Sequence, residues 1–283
     1  MHEINRVGVL GSGTMGHGIA QVCAAAGLEV TVADQSREFL TGAQAKVEAS
    51  LAKLVAKGAM AEEARGQTLG RLAWTEDADA MAANADLVIE AVPEKMELKQ
   101  QVFAAFDRAA PAHAILATNT SSLSIGEIAK ATKRPGRVVG MHFFNPVPLM
   151  ALVEVVRGKE TDPAVVDAAV AFSKRVGKEP IVVNDVPGFA SSRLGVALGA
   201  EAIRMLESGV ASAEDIDKAM ELGYRHPMGP LKLTDLVGLD VRLAILEHLH
   251  KEIGEQFRPP ELLKKLVREG KLGRKTGEGI YKY

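Results

Sequence analysis

A glycine-rich loop, Gly11-Ser12-Gly13-Thr14-Met15-Gly16, constrains this chain more than any other stretch. The apolar run Val7-Gly8-Val9-Leu10 leads into it, and a helix-compatible run over residues 19–26 leads out. Val30-Thr31-Val32-Ala33 then ends on Asp34. Strand, glycine turn, helix, strand and acid follow in the order that a dinucleotide-binding βαβ unit requires. Gly11 permits the tight turn, Gly13 leaves room for a pyrophosphate, and Gly16 allows the helix to pack closely on the sheet. Ser12, Thr14 and Met15 complete the loop, and the helix start presents free N–H groups and a positive dipole end to phosphates. Asp34, 18 residues after Gly16, can accept hydrogen bonds from both ribose hydroxyls and repels a 2′-phosphate. NAD is therefore the expected cofactor.

Strand and helix patterns alternate for most of the chain. Helices are predicted over 37–57, 61–70, 96–109 and 125–131, and strands over 72–74, 86–92, 114–118 and 137–141. Two further strands, 152–156 and 180–183, flank a helix over 163–176 and extend one edge of the sheet. This alternation predicts an α/β fold with a doubly wound, mainly parallel Rossmann-type sheet. Beyond Pro187-Gly188 the β pattern stops. Helices are predicted over 189–208, 212–222, 239–253 and 261–269, with a turn at 227–230. The expected domains are thus 1–186, dinucleotide-binding, and 187–283, a smaller all-helical unit for substrate and dimerisation. The helix over 189–208 is apolar on more than one face, which in so small a domain calls for extra burial, most simply in a homodimer.

With 283 residues the chain can build a substantial core, and a net charge of −2 argues against nucleic acid or a basic membrane patch as partner. There is no run of 18 uninterrupted apolar residues and no signal-peptide pattern. Cys23, the lone cysteine, cannot form an intrachain disulfide and reads as a buried apolar residue. A cytoplasmic protein is expected. No metal-ligand set is read.

Ligands of doubly wound sheets bind beyond the C-terminal strand ends. Three polar clusters fall there: Glu90 to Glu94, Asn119 to Ser122, and His142 to Asn145. Histidine titrates near pH 6.5 and so can take a proton in one direction and return it in the other. Glu154, 12 residues after His142 in an otherwise apolar strand, is either a solvated edge charge or a partly buried carboxylate that needs a partner. His142 could be that partner. Residues 119–122 could simply cap the next helix, through Ser122 or Ser124. Asn145-Pro146 could be only a turn. Glu94, Lys99 and Lys275, taken by residue type alone, read as solvated surface charges.

Several stretches together resemble the short-chain L-3-hydroxyacyl-CoA dehydrogenases, including bacterial 3-hydroxybutyryl-CoA dehydrogenases. They are 11–18, Glu90-Ala91-Val92-Pro93-Glu94, Thr118-Asn119-Thr120-Ser121-Ser122-Leu123, Met141-His142-Phe143-Phe144-Asn145-Pro146-Val147-Pro148, 152–156, Asp185-Val186-Pro187-Gly188-Phe189, 224–230 and 273–279. The resemblance implies NAD-dependent interconversion of (3S)-hydroxyacyl-CoA and 3-ketoacyl-CoA, on short acyl chains. It also implies an N-terminal NAD domain, a helical dimerisation domain and an active site in the cleft between them. It makes His142 the general base or acid and Glu154 its orienter. Ser121 and Asn145 position the substrate or nicotinamide, and Asn119, Glu94, Lys99 and Lys275 lie by the cofactor. Ser50 and Lys57, seven residues apart on one helix face, match contacts to the CoA moiety. One position departs from the family pattern: Ser192 stands where an asparagine usually precedes the arginine, so its hold on the substrate carbonyl region differs. Two alternatives remain open at this level: a dehydrogenase of free 3-hydroxy acids (gulonate-type), and a non-catalytic NAD-binding dimer.

Overall fold

The computed structural model describes residues 2–283, which divide into two units, one ending at Asp185 and one running from Val186 to Tyr283. In the first unit, β1 (Arg6–Leu10), α1 (Thr14–Ala25) and β2 (Glu29–Ala33) form the opening βαβ unit. Then come α2 (Arg37–Ala56), α3 (Glu62–Gly70), β3 (Leu72–Thr75), α4 (Ala78–Ala83), β4 (Leu87–Glu90), α5 (Met96–Ala109), β5 (Ile115–Thr118) and α6 (Ile125–Ala129). The unit closes with β6 (Val138–Phe143), β7 (Leu152–Arg157), α7 (Pro163–Arg175) and β8 (Glu179–Asn184).

The eight strands make one sheet in the order β3-β2-β1-β4-β5-β6-β7-β8. All neighbours are parallel except β6 and β7, which run antiparallel. The order reverses between β1 and β4, which places the glycine loop at the switch point where ligands of such sheets bind. The central strands are buried on both faces and read as continuous apolar runs, as parallel strands must. The core joins Val7, Val9, Ile19, Val32, Ile89, Ile115, Met141, Val153 and Phe172. Cys23 is fully buried within it, and burial pushes its thiol up to about 12. β8 is the exposed edge, with Ile181 and Val182 open to solvent. The predicted elements sit within a few residues of the observed ones. α4 is the addition: six residues, capped by Asp77, too short to carry a helical period.

The second unit is all-helical: α8 (Ser191–Glu207), α9 (Ala213–Gly223), α10 (Pro230–Val237), α11 (Leu239–Glu252) and α12 (Glu261–Arg268). Its core gathers Val196, Ile203, Ile216, Leu231, Leu246, Leu249 and Leu263. Ser212 caps α9 by accepting from the Asp215 amide at 3.2 Å. α10 was not among the predicted helices, because its Pro230 reads as part of the turn but sits at the first helical position, where proline is favoured. Two buried acids tie the C-terminus down. Asp235 accepts from the amides of Ile280 and Tyr281 at 2.9 and 2.8 Å, and from the Tyr283 hydroxyl. Asp217 accepts from the Leu231 and Lys232 amides and from the Tyr281 hydroxyl. A Cβ on Gly273 or Gly279 would strike Asp235 at 2.2 or 2.3 Å, so those two glycines of the 273–279 stretch answer to this anchor. Among the described residues no helix is long and apolar enough to cross a membrane.

Candidate active site

The loop after β1 is shaped for a phosphate. Gly11 has φ +96°, and a Cβ there would meet the Ala91 carbonyl at 2.7 Å. A Cβ on Gly16 would lie 1.7 Å from the Gly11 carbonyl oxygen, so the third glycine is required by the first turn itself. Gly13 differs: nothing stands within 4 Å of its missing Cβ, and its backbone faces open space. Gly13 starts α1 with no side-chain cap, so the amides of the first turn, including Thr14, Met15 and Gly16, have no capping acceptor from the chain. A 12-residue helix with an uncapped start beneath an open glycine fits an anionic group.

Asp34 follows β2 beside this loop. Its Oδ2 accepts from the Ser12 amide at 2.7 Å and from the Ser12 hydroxyl at 2.8 Å, and its Oδ1 accepts from the Gln35 amide. Those bonds orient the carboxylate and leave lone pairs for further donors. The donor and acceptor set therefore suits a dinucleotide with free ribose hydroxyls.

Beyond β4 and β5 lies a buried polar relay. Glu90 is fully buried and accepts from Lys99 Nζ at 2.7 and 2.8 Å, from the Thr118 hydroxyl and from the Val92 amide. Lys99 also reaches Glu94 at 3.2 Å. Glu94 in turn accepts from the Thr120 hydroxyl at 2.6 Å and the Ser121 amide at 2.9 Å. Burial alone would raise the Glu94 carboxyl, but the Lys99 charge and the bonds from Thr120 and Ser121 hold it below the usual range. Lys99 is thus no surface charge. It is 1% exposed, on the α5 face that also buries Phe103 and Phe106. The sequence places Glu90 and Thr120 in the strand-end clusters, and Thr118 beside them, but gives none of the three an individual role. The signal available was Lys99 itself, a lysine at i, i+4, i+7 spacing with two phenylalanines, which demands an acid.

Ser124, not Ser122, caps α6. Ser121 is left at the strand end, with its hydroxyl 3.3 Å from Glu94. Asn119 Oδ1 accepts from the Phe143 amide at 2.9 Å and so clamps the end of β5 to the end of β6.

His142 and Glu154 are directly opposite in the antiparallel β6–β7 ladder. Nδ1 of His142 lies 2.7 Å from Glu154 Oε2, and both residues are buried, Glu154 completely. Glu154 is therefore not a solvated edge charge. The carboxylate selects the tautomer with the proton on Nδ1, which gives the lone pair to Nε2. The Phe144 ring packs 4.4 Å from the imidazole. Asn145 is exposed and opens the turn 145–149. Lys178, from the turn before β8, holds that turn by donating to the carbonyls of Val147 and Met150. Lys178 was not read from the sequence. It is another buried lysine whose partners are backbone carbonyls and so leave no residue pattern.

The remaining expected residues lie farther along the chain. Ser50 is half-buried on α2 and Lys57 is exposed at its end. Ser192 is half-buried in the first turn of α8. Lys275 pairs with Asp240 at 2.5 Å in the second unit.

A switch-point loop and a histidine–carboxylate pair on one sheet define a dinucleotide-dependent oxidoreductase. Residues 6–186 match the 3-hydroxyacyl-CoA dehydrogenase NAD binding domain, and residues 188–283 match the C-terminal domain of the same family. A probable 3-hydroxybutyryl-CoA dehydrogenase of Deinococcus radiodurans is 46% identical over 98% of this chain and 100% of its own. The mitochondrial hydroxyacyl-coenzyme A dehydrogenase of Homo sapiens is 45% identical over 99% of this chain and 91% of its own. The crystal structure of (S)-3-hydroxybutyryl-CoA dehydrogenase from Ralstonia eutropha superposes with a TM-score of 0.96 at 43% identity, covering 99% of both chains. The chain belongs to the 3-hydroxyacyl-CoA dehydrogenase family.

Proposed function

We propose that this protein interconverts (3S)-hydroxyacyl-CoA and 3-ketoacyl-CoA with NAD, on short acyl chains such as 3-hydroxybutyryl. The observation that carries the reading is the 2.7 Å pair of His142 Nδ1 and Glu154 Oε2, on the same sheet as the dinucleotide-type loop. Oxidising a secondary alcohol needs a base for the hydroxyl proton and an acceptor for the hydride. His142 takes the proton at Nε2, and Glu154 stabilises the imidazolium that results. In the reverse direction His142 returns that proton to the carbonyl oxygen. Ser121 donates to the reacting oxygen, and Asn145 positions the substrate or nicotinamide. The amides of 13–16 hold the pyrophosphate, Asp34 accepts from the adenosine ribose, and Asn119 and the Glu94–Lys99 pair line the cofactor side. Bound NAD supplies the hydride acceptor.

The family pattern further assigns Ser50 and Lys57 to the CoA moiety, Lys275 to the cofactor and Ser192 to the substrate. Cytoplasmic location rests on a lone, buried cysteine. Homodimerisation rests on the second unit, which leaves Leu194, Leu236, Val237 and Val241 more than two-fifths exposed, an unusual apolar display.

The test is NADH oxidation by the purified protein given acetoacetyl-CoA, with free acetoacetate as the comparison. Turnover of the thioester with little of the free acid is expected. No turnover despite intact NADH binding overturns the reading. His142→Gln should lower kcat by about 10²–10⁴-fold while NADH binding persists. Light scattering should return twice the chain mass.

A further inference from the structure

The base of the sheet carries a second cluster of chemistry-bearing residues, at the N-terminal strand ends and so away from His142. Asp86 immediately precedes β4, Arg6 opens β1, and His113 lies two residues before β5. The neighbouring N-terminal segment adds His2. Asp86 is 4% exposed, and its Oδ2 accepts from the amides of Asn5 and Arg6 at 3.0 and 2.8 Å. Those bonds fix the carboxylate plane and aim Oδ1 outward. Three side chains converge on Oδ1: Arg6 Nη2 at 2.9 Å, His113 Nε2 at 3.1 Å and His2 Nε2 at 3.6 Å. The two imidazoles pack with ring centroids 4.2 Å apart.

We propose that His2, Asp86 and His113 form a binding site for a divalent transition-metal ion of the zinc class. An ion held tetrahedrally at 2.0–2.1 Å by nitrogen and oxygen has ligand atoms about 3.3 Å apart. The two nitrogen-to-Oδ1 distances, 3.1 and 3.6 Å, bracket that edge, and all three ligand atoms lie within 4.8 Å of one another. Small rotations of two partly exposed rings therefore complete three vertices of the site, with water at the fourth. Asp86 needs neither imidazole to satisfy its buried oxygens, since Asn5 and Arg6 already do so. The amide bonds to Oδ2 act as outer-shell support that holds the ligand oxygen in place. Arg6 opposes the ion, because its positive charge shares Oδ1. Its side chain is half exposed and can swing into solvent. The donor set of two imidazoles and one carboxylate suits zinc, nickel or cobalt and not magnesium or calcium, which prefer all-oxygen shells. An ion here ties the N-terminal segment to the starts of β1, β4 and β5 and stabilises the first unit. The site stands independently of the dehydrogenase reading.

The experiment uses the untagged full-length protein, stripped of metal and titrated with Co²⁺ and then Zn²⁺. A saturable visible absorption band from bound Co²⁺ is expected, displaced by Zn²⁺. Saturating Zn²⁺ should raise Tm by roughly 5 °C. His2→Ala and His113→Ala should each weaken Co²⁺ affinity at least tenfold, and Arg6→Gln should tighten it. NADH turnover of the metal-free variants should match that of the parent. His2 is exposed and outside any helix or strand, so its variant keeps the test decisive should His113→Ala unfold. Absence of a band, or one unchanged in both histidine variants, overturns the proposal.

Discussion

One added methyl group separates fold from function at Gly13. Its backbone, φ −60° and ψ −164°, is open to any residue, and the space beside it is empty. Gly13→Ala should therefore leave Tm within about 1 °C of the parent. It should nevertheless weaken NADH binding tenfold or more, because the new Cβ occupies the phosphate's approach. Gly16 cannot be tested so cleanly, since a Cβ there meets the Gly11 carbonyl. At Glu154, Gln replaces a charged acceptor with an amide of the same shape. Glu154→Gln should lower kcat by about 10²-fold or more with KM little changed, as expected for a group that stabilises an imidazolium formed in the reaction. If kcat and KM instead move together, Glu154 serves binding and not proton transfer.

Among the elements, α5 shows how one helix serves core and site together. Its buried face carries Phe103 and Phe106 into the core and Lys99 onto Glu90 and Glu94. Removing one partner of such a pair strands a buried charge, and Lys99→Met should cost about 3–5 kcal/mol, read as a lower urea midpoint. Replacing both residues, Glu90→Gln with Lys99→Met, should recover part of that loss. The sharper consequence is functional, because Glu94 and Ser121 lose their orienting cation. The β6–β7 ladder is the other element that matters. Only its antiparallel register sets residues 142 and 154 face to face, where Cβ atoms of opposed residues lie about 4.5–5.5 Å apart.

Across the first unit, long-range order at the base of the sheet depends on Asp86, which lies some 80 residues from the amides it holds. Burial alone would raise its carboxyl, but bonds from Arg6, from the Asn5 and Arg6 amides and from His113 hold it well below the usual carboxylate range. A group depressed in the folded state contributes stability above its unfolded pKa of about 3.9 and loses that contribution as pH falls toward the folded value. Asp86→Asn should thus lower Tm most at pH 6–7 and progressively less as the pH falls below about 4. A Tm gap that stays constant over this range would show that the carboxylate charge is not what stabilises the base.

Local pattern sufficed wherever the physics is local. The loop 11–16, the alternation of strand and helix, the break at Pro187-Gly188 and the cap at Ser212 all express spacing and backbone preference within a few residues. The short α4 and the proline-led α10 escaped because six or eight residues, or a proline in the first turn, carry too little periodicity. Lys99 looks like a solvated charge by residue type, since a charge reveals its burial only through neighbours distant in the chain, whereas the valines around Glu154 already point to a buried carboxylate in need of a partner. Register brought Glu154 to His142, packing of α5 brought Lys99 to Glu90, and three strand starts brought His2 and His113 to Asp86. Composition and periodicity record which face an element buries. They do not record which polar group waits on the other side, because that contact is chosen by strand order and twist once the elements have assembled.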